Sequence, residues 1–153
     1  MKALIDTNIL MDFIDKRQDF FKDAKKVFAL CRTNKVDAFV SAHSLMDLCY
    51  LVRKTKTQDE RLRMLRQLCG LFVVVETTSE AILAAAEHMD FSDFEDSVVN
   101  QAAVKAGADC IVTRNQGDFK AANIPVLSPI EFIETFDEDG CIPSSSTRIR
   151  TMR

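Results

Sequence analysis

The chain has 153 residues, enough for one domain that buries about two thirds of the surface of its unfolded form. Hydrophobic residues make up 47% and charged residues 28%, and no apolar run is as long as a membrane span, so the composition excludes membrane and disordered classes. The net charge of −3 excludes a general attraction to nucleic acid, and contact with such a polyanion would need a metal ion, a basic partner or a local basic cluster.

Short apolar segments alternate with segments in which apolar residues recur at helical spacing. The predicted strands are residues 4–5, 37–40, 72–75, 110–112 and 125–127. Helices are predicted after Asp6, over 21–31, after Ser41 to about residue 52, over 59–71, after Ser79, over 96–106 and over 129–136. The alternation predicts an α/β fold, a three-layer α/β/α sandwich around a parallel sheet of four or five strands.

Three further expectations concern packing and domain limits. Strand 72–75 is apolar throughout, and the helix after Ser79 is predicted to face inward with Ile82, Leu83, Ala86 and Met89. Residues 1–137 are predicted to form the domain, and 138–153 a flexible tail. Met1 runs straight into the first strand, so we expect no signal peptide.

Cysteine, histidine and aromatic residues show no pattern of a zinc, disulfide or base-stacking site. The five cysteines are odd in number and widely spaced, which indicates reduced residues in a cytoplasmic protein. His43 and His88 lack a partner histidine, so neither is predicted to be a metal ligand, although His43 could contact a phosphate. Tyr50 and the phenylalanines are predicted to pack in the core or an interface. The basic clusters at 53–56, 61–66 and 148–153 are typical of solvated surfaces.

Acidic and polar residues lie where predicted strands end. Asp6 ends strand one, Asp47 lies in the second turn of the helix after strand two, Asp96 opens the helix before strand four, and Thr113 and Asn115 follow strand four. In an open parallel sheet, ligands bind outside the carboxyl ends of the strands. These residues are therefore predicted to converge on one cleft.

The spacing of the acids favours a cation. Asp93 and Asp96 share a helix face that Asn100 continues, and carboxylates packed near Asp6 would repel one another unless a divalent ion lay between them. Oxygen ligands without a cysteine or histidine pair suit Mg²⁺ or Mn²⁺. Taken singly, Asp47 is more typical of a solvent-facing helix residue than of a ligand, and Asp93 is more typical of an acid that stabilises a helix start.

Together these motifs resemble the PIN-domain family. They are LIDTNILMD at 4–12, VS at 40–41 leading to the Asp47 helix, DFEDS at 93–97 and GADCIVTRNQGDF at 107–119. The resemblance extends over about residues 2–136, and the most similar branch is the single-domain bacterial toxins of the VapC type.

The resemblance implies a metal-dependent endoribonuclease. Asp6, Asp47 and Asp96 would be catalytic, and Mg²⁺ or Mn²⁺ would be bound by Asp6 and Asp96, with Asp93 or Asp118 supplying further charge. Asp47 stands where the family usually has glutamate, and Asn115 where it commonly has a fourth acid. Supporting roles that orient the carboxylates fall to Thr7, Asn8, Thr113 and Asn115.

The resemblance also implies partners. These are an RNA substrate, an antitoxin protein that inserts a basic side chain into the acidic cleft, and a second copy of the chain. Phe13, Phe20 and Phe21 could form the homodimer interface or belong to the core. No membrane association is expected.

Two other functions remain open at this point. The first is a non-catalytic PIN module that binds RNA or protein, because Asp47 and Asn115 both depart from the usual pattern. The second is a phosphatase with Asp6 as its nucleophile. Such enzymes need a general acid two positions further on, where this chain has Asn8, so we expect no phosphoenzyme.

Overall fold

The computed structural model describes residues 1–87 and 90–137. The strands are β1 (Lys2–Ile5), β2 (Asp37–Ser41), β3 (Val73–Val75), β4 (Cys110–Val112) and β5 (Val126–Leu127). The helices are α1 (Thr7–Ile14), α2 (Phe21–Cys31), α3 (Ala42–Leu51), α4 (Gln58–Leu71), α5 (Ser79–Glu87), α6 (Phe94–Ala106) and α7 (Pro129–Asp137), and short 3-10 turns span Val52–Lys54 and Gln116–Phe119. This alternation confirms the predicted α/β class.

The five strands form one sheet in the order β3-β2-β1-β4-β5, and every neighbouring pair is parallel. In register, Ala3 of β1 pairs with Ala38 of β2 on one side and Cys110 of β4 on the other. The chain therefore adds β2 and β3 on one side of β1, and then crosses over to add β4 and β5 on the other side of β1. The place where the direction reverses lies between β1 and β4, and such switch points open a crevice at the carboxyl ends of the strands.

Alternate residues of each strand pack into different helical layers, as a sheet covered on both faces requires. Ala3 and Ile5 pack into the larger core with side chains from α1, α2, α3, α4 and α7. Leu4 points to the other face, where it packs against α6 with Ile111 and Phe119. The result is the predicted three-layer sandwich.

Polar caps fix the helix ends that matter for the cleft. Asp6 caps the amino end of α1, Ser41 that of α3 and Asp93 that of α6, each through a side-chain oxygen that accepts a backbone N–H. Gly107 ends α6 with a left-handed φ of 61°. The sequence predicted the caps at Ser41 and Gly107, and the structure confirms both.

The predicted inward face of the helix after Ser79 is wrong. In α5 Ala85 is buried, whereas Leu83 is 64% exposed, and Ile82 and Ala86 are exposed as well. The helix α5 packs mainly against α6, so only a narrow strip of its own surface is buried. Met89 lies outside the described residues.

The apolar strand β3 also differs from a buried strand. It lies at the edge of the sheet, and its Val73 is 57% and Val74 38% exposed. Apolar composition predicted the strand, but it could not predict that one side would lack a neighbour. The predicted tail over 138–153 lies outside the described residues.

Four cysteines lie within the described residues, and all four are free thiols. Burial raises the pKa of Cys31 to about 12 and that of Cys110 to about 11, so both behave as small core residues. Among residues 1–87 and 90–137, no helix is long and apolar enough to cross a membrane.

Candidate active site

A cleft of about 460 Å³ lies at the carboxyl edge of the sheet beside β1. It brings together residues of α1, α3, α6 and the segment after β4, which are far apart in the sequence. The predicted site residues that line it are Asp6, Thr7, Asn8, Asp47, Asp96 and Asn115. Residues that the sequence did not assign to the site also line it, among them Arg17, His43, Tyr50, Glu95 and Arg114.

Asp6 is held rigidly at the bottom of this arrangement. Its carboxylate is only 4% exposed and accepts three hydrogen bonds: from the Thr7 N–H at 2.6 Å, the Asn8 amide at 2.6 Å and the Thr113 hydroxyl at 2.8 Å. An ionised carboxylate can accept about four. One acceptor position therefore remains for a ligand.

Asn8 and Thr113 connect β1 to β4 around that carboxylate. The Asn8 amide donates to Thr113 Oγ1 at 2.9 Å, and its oxygen accepts the Arg114 N–H at 3.2 Å. Thr113 Oγ1 also accepts the Asn115 N–H at 3.0 Å. The side-chain amide of Asn8 donates to Asp6 and Thr113, so this residue orients Asp6. A carboxamide does not ionise near neutral pH, so Asn8 is not a general acid.

Burial raises the pKa of Asp6 despite the hydrogen bonds from Thr113 and Thr7 and the positive charge of Arg114, which act in the opposite direction. The charged form of Asp6 is therefore less stable in the folded protein than that of an aspartate in water. A cation in the cleft would stabilise its charged form.

Asp96 shows the same effect more strongly. Partial burial is the main cause that raises its pKa to about 7, and nearby negative charges add to it. These charges belong to Asp6, Asp93, Asp118 and Glu95. This carboxyl therefore gives up its proton less readily than a solvated aspartate does.

Asp93 and Asp118 act on the cleft from outside it. Asp93 caps α6, where its Oδ1 accepts the Glu95 N–H at 2.8 Å, and its side chain is exposed. Asp118 lies in the turn Gln116–Phe119, and its charge raises the pKa of both Asp6 and Asp96. Neither side chain lines the cleft.

Asp47 pairs with a neighbour that the sequence left without a metal role. On α3, His43 Nε2 and Asp47 Oδ2 are 2.9 Å apart across one helical turn. Glu95 of α6 approaches both, and one ligand atom from each of the three residues lies within 4.8 Å of the others. The i,i+4 spacing of the first two was visible in the sequence, but the approach of α6 to α3 was not.

A buried acid behind the cleft holds two arginines at its edge. Asp12 is 1% exposed, with Arg114 Nε at 2.6 Å and Arg17 at 3.6 Å from its carboxylate oxygens. Arg114 also lies over the Phe20 ring at 4.0 Å. Burial raises the pKa of Asp12, while the two arginines oppose the shift.

Tyr50 was predicted to pack in the core or in an interface, and it does not pack in the core, since its side chain is 61% exposed and lines the cleft. The guanidinium of Arg53 lies 3.5 Å from the centre of its ring. Phe20 is exposed, whereas Phe13 packs against the core and stacks on Phe21 and Phe28.

The donor set at the base of the cleft fits a hard divalent cation. Asp6 keeps a free acceptor position, and Asp96 is destabilised as an anion by burial and by its acidic neighbours. Carboxylate oxygens are the ligands that Mg²⁺ and Mn²⁺ prefer. A bound cation would offset the repulsion between these carboxylates and stabilise their charged forms.

The protein is an α/β protein with a parallel five-stranded sheet and a carboxylate-lined cleft at the switch point of that sheet. A sequence model of the PIN-domain family matches residues 2–117. The chain therefore belongs to the PIN-domain family, which confirms the resemblance of its four motifs. No curated protein matches the chain.

Several solved structures share the fold. The Rickettsia felis VapBC2 complex bound to promoter DNA has a TM-score of 0.63 at 18% identity, over 84% of this chain and 98% of that one. A toxin-antitoxin complex from Klebsiella pneumoniae has 0.63 at 23%, over 83% and 97%. Mycobacterium tuberculosis VapC20, described as a sarcin-ricin loop cleaving toxin, has 0.64 at 19%, over 80% and 95%. At these identities the likeness establishes the fold.

Proposed function

We propose that this protein is a metal-dependent endoribonuclease that hydrolyses RNA phosphodiesters and acts as the toxin of a toxin-antitoxin pair. One observation carries the proposal: Asp6, Asp47 and Asp96, from three separate elements, line a single cleft at the switch point of the sheet. Membership of the PIN-domain family supports the nuclease class.

Asp6 and Asp96 would hold Mg²⁺ or Mn²⁺, with Asp47 as the third acid of the cleft. When bound, such a cation orients a phosphodiester, lowers the pKa of a water and stabilises the leaving oxygen. Asp47 is one methylene shorter than glutamate, so its reach from α3 favours contact with the cation through a water.

The remaining groups would hold this arrangement in place. Thr7, Asn8 and Thr113 fix the orientation of Asp6 through the three hydrogen bonds to its carboxylate. Asn115 brings an amide to the cleft where a fourth acid is common, and the charge of Asp118 reaches Asp6 and Asp96 from behind it. Asp93 adds negative charge near Asp96.

Contact with RNA would come from the cationic edge of the cleft. Arg17 and Arg114 line it beside the acids, held by Asp12, and can meet phosphates that the acids alone would repel. The exposed ring of Tyr50, with Arg53 on it, offers a surface on which a base can stack.

An antitoxin and a second copy of the chain are the proposed protein partners. The structures with a similar fold include toxin-antitoxin complexes, and the acidic cleft suits a basic side chain from such a partner. For the homodimer, exposed Phe20 is available, whereas Phe13 is partly buried against the core. Sedimentation of the purified chain tests the dimer.

The function is tested by cleavage of a structured RNA with Mn²⁺ or Mg²⁺. We expect wild type to cleave, chelation to stop cleavage, and Asp6→Asn and Asp96→Asn each to lower the rate by about 100-fold or more. Glu134→Gln on α7 is the matched control, because this exposed acid lies away from the cleft. Cleavage that survives both aspartate substitutions would contradict the metal assignment.

The same experiment distinguishes a ribonuclease from a non-catalytic PIN module that only binds RNA. Asn115 gives that alternative its support, since it places a neutral amide in the cleft. Wild type that binds the RNA with or without cation and leaves it intact, under conditions where a known ribonuclease degrades it, would identify a binding module.

A further inference from the structure

We infer that a second pocket, beside the cleft, binds a guanine base of the RNA, and that Asp23 recognises this base. The pocket measures about 260 Å³ and lies between the start of α2, the start of α7 and the segment after β4. Arg114 and Asn115 line both the pocket and the cleft, so an RNA strand with a phosphate in the cleft can place a neighbouring base in the pocket. The inference rests on the proposed function, because it names a feature of the RNA that the chain would select.

One side of the pocket is a flat surface on which a base can stack. The guanidinium of Arg114 lies over the ring of Phe20, 4.0 Å from the ring centre, and the Phe20 side chain is exposed. Ile130 adds exposed apolar surface. Unpaired RNA bases stack on aromatic rings and on arginine guanidinium planes. The volume suits a single planar ring system, since pockets for drug-sized ligands measure about 300–1,000 Å³.

Two carboxylates line the pocket, and only one of them is available to a ligand. Asp12 is buried, and its oxygens lie 2.6 Å from Arg114 and 3.6 Å from Arg17, so its charge is balanced within the protein. Asp23 is half-buried, and within residues 1–87 and 90–137 its carboxylate has neither an ion pair nor a hydrogen bond. Asp23 is therefore the acceptor that a bound base would meet.

The position of Asp23 at a helix start explains its charge but leaves its oxygens unused. Asp23 is the third residue of α2, and an acid in a first turn interacts favourably with the helix dipole. In a capping box such an acid would also accept the N–H of the residue before the helix. That N–H, of Phe20, instead donates to the Arg17 carbonyl at 2.9 Å. The carboxylate oxygens are thus left for a ligand.

The polar groups of the pocket fit guanine better than the other bases. Guanine presents two N–H donors side by side on its Watson–Crick edge, and one ionised carboxylate can accept both. Adenine and cytosine have a ring-nitrogen acceptor at that place, which a carboxylate repels, and uracil has a single donor between two carbonyl oxygens. Asn115 brings an amide to the same pocket, which can donate to the O6 atom of guanine.

Fluorescence anisotropy with short single-stranded RNAs tests this without any measurement of cleavage. The RNAs are oligouridines with guanosine, inosine or adenosine at one central position, and the protein is the full chain in the Asp6→Asn background, which prevents cleavage. Inosine lacks the exocyclic amino group of guanosine, so it removes one of the two donors. We expect the guanosine RNA to bind about tenfold more tightly than the adenosine RNA, with the inosine RNA between them.

Asp23→Asn is the decisive variant, and Asp19→Asn is its matched control. Both changes remove one negative charge close to the start of α2, but Asp19 is exposed and does not line the pocket. Loss of a charge strengthens the binding of every RNA alike, so the affinity ratios between the RNAs are the readout. We expect the preference for guanosine over adenosine and inosine to fall below about twofold in Asp23→Asn and to stay unchanged in Asp19→Asn.

Phe20→Leu tests the stacking surface separately. Leucine keeps an apolar contact but lacks the aromatic plane, so we expect every RNA to bind at least about fivefold more weakly, with the preference for guanosine retained. Thermal melts check that the variants are folded.

Four outcomes would overturn the inference: no binding or equal binding of the guanosine and adenosine RNAs, a preference that persists in Asp23→Asn, a preference lost equally in Asp19→Asn, or a homodimer in sedimentation that Phe20→Leu dissociates, since such a dimer would cover the pocket. RNA cleavage by wild type alongside any of these would leave the proposed function standing. Conversely, a guanosine preference in a chain that never cleaves RNA would uphold the inference and refute the function.

Discussion

Asp96 is a single residue that lowers the stability of the cation-free fold and would favour the binding of a cation. Its carboxyl has a pKa near 7 in the folded chain and an ordinary value near 3.8 when unfolded. Because the folded state disfavours the charged form, stability is lost as pH rises from the lower value through the higher one. Cation binding would recover that loss.

Asp96→Asn is therefore expected to stabilise the cation-free protein at alkaline pH. At about pH 8, in chelator, we expect its melting temperature to exceed that of wild type by about 2–8 °C, or about 1–2 kcal/mol after allowance for solvent screening of this partly exposed group. The difference should shrink as the pH falls and reach zero below about pH 3, where the carboxyl is neutral in both states.

Thermal melts across that pH range, with and without Mn²⁺, measure the effect. Glu134→Gln again provides the control, with no pH-dependent difference expected. A variant that is less stable than wild type at every pH would contradict the idea that Asp96 is electrostatically destabilised.

The sequence could predict the site residues whose partners are local or follow a strand end. Asp6, Asn8 and Thr113 fall at the ends of two apolar strands, and parallel strands bring such ends together. Glu95 and Arg114 were missed as site residues, since their roles depend on how α6 meets α3 and on the buried Asp12. No pattern of spacing within the chain carries that information.

At the scale of elements, α6 combines a functional end with a structural one. Its amino end carries Asp96, and its carboxyl end stops at Gly107 in the left-handed region with φ of 61°. Apart from its own chain neighbours, no atom of the described residues lies within 4 Å of the position that a Cβ on Gly107 would occupy. A substitution there would strain the backbone without a steric clash.

Gly107→Ala is expected to cost about 1–2 kcal/mol of unfolding free energy, since left-handed backbone is unfavourable for alanine. Gly107→Asn should cost less, because asparagine tolerates this conformation. Urea denaturation of both variants gives the comparison, and cation affinity should stay unchanged because the cap lies at the far end of the helix. Equal losses in the two variants would show that the conformation is not the cause.

The elements also show where periodicity fails. α5 was predicted as a helix and is one, but its buried face was wrong because the pattern of apolar residues does not say which neighbour the helix meets. α2 and α3 lie against the larger core, and there apolar spacing predicted burial well.

For the whole molecule, the net charge of −3 makes the few cations at the cleft decisive. Arg17 is the more accessible of the two, with 43% of its side chain exposed, and can be changed while Arg114 still pairs with Asp12. Its contact with one phosphate would release about one counterion from a single strand.

Arg17→Gln is expected to weaken binding of single-stranded RNA severalfold at low salt, and to reduce the salt slope of the logarithmic affinity by about 0.7. Fluorescence anisotropy between about 50 and 200 mM salt, in the Asp6→Asn background that prevents cleavage, gives both quantities. Arg63→Gln on α4 serves as a matched control with an exposed arginine. An unchanged slope would mean that Arg17 does not meet the phosphates.

The edge strand β3 has a consequence for the behaviour of the protein in concentrated solution. Its outer row of backbone N–H and C=O groups has no strand beside it within the described residues, and Val73 and Val74 leave apolar surface there. Such an edge can template the addition of strands from partly unfolded copies. Irreversible aggregation on heating is therefore expected to begin at this edge, with a rate that rises with protein concentration.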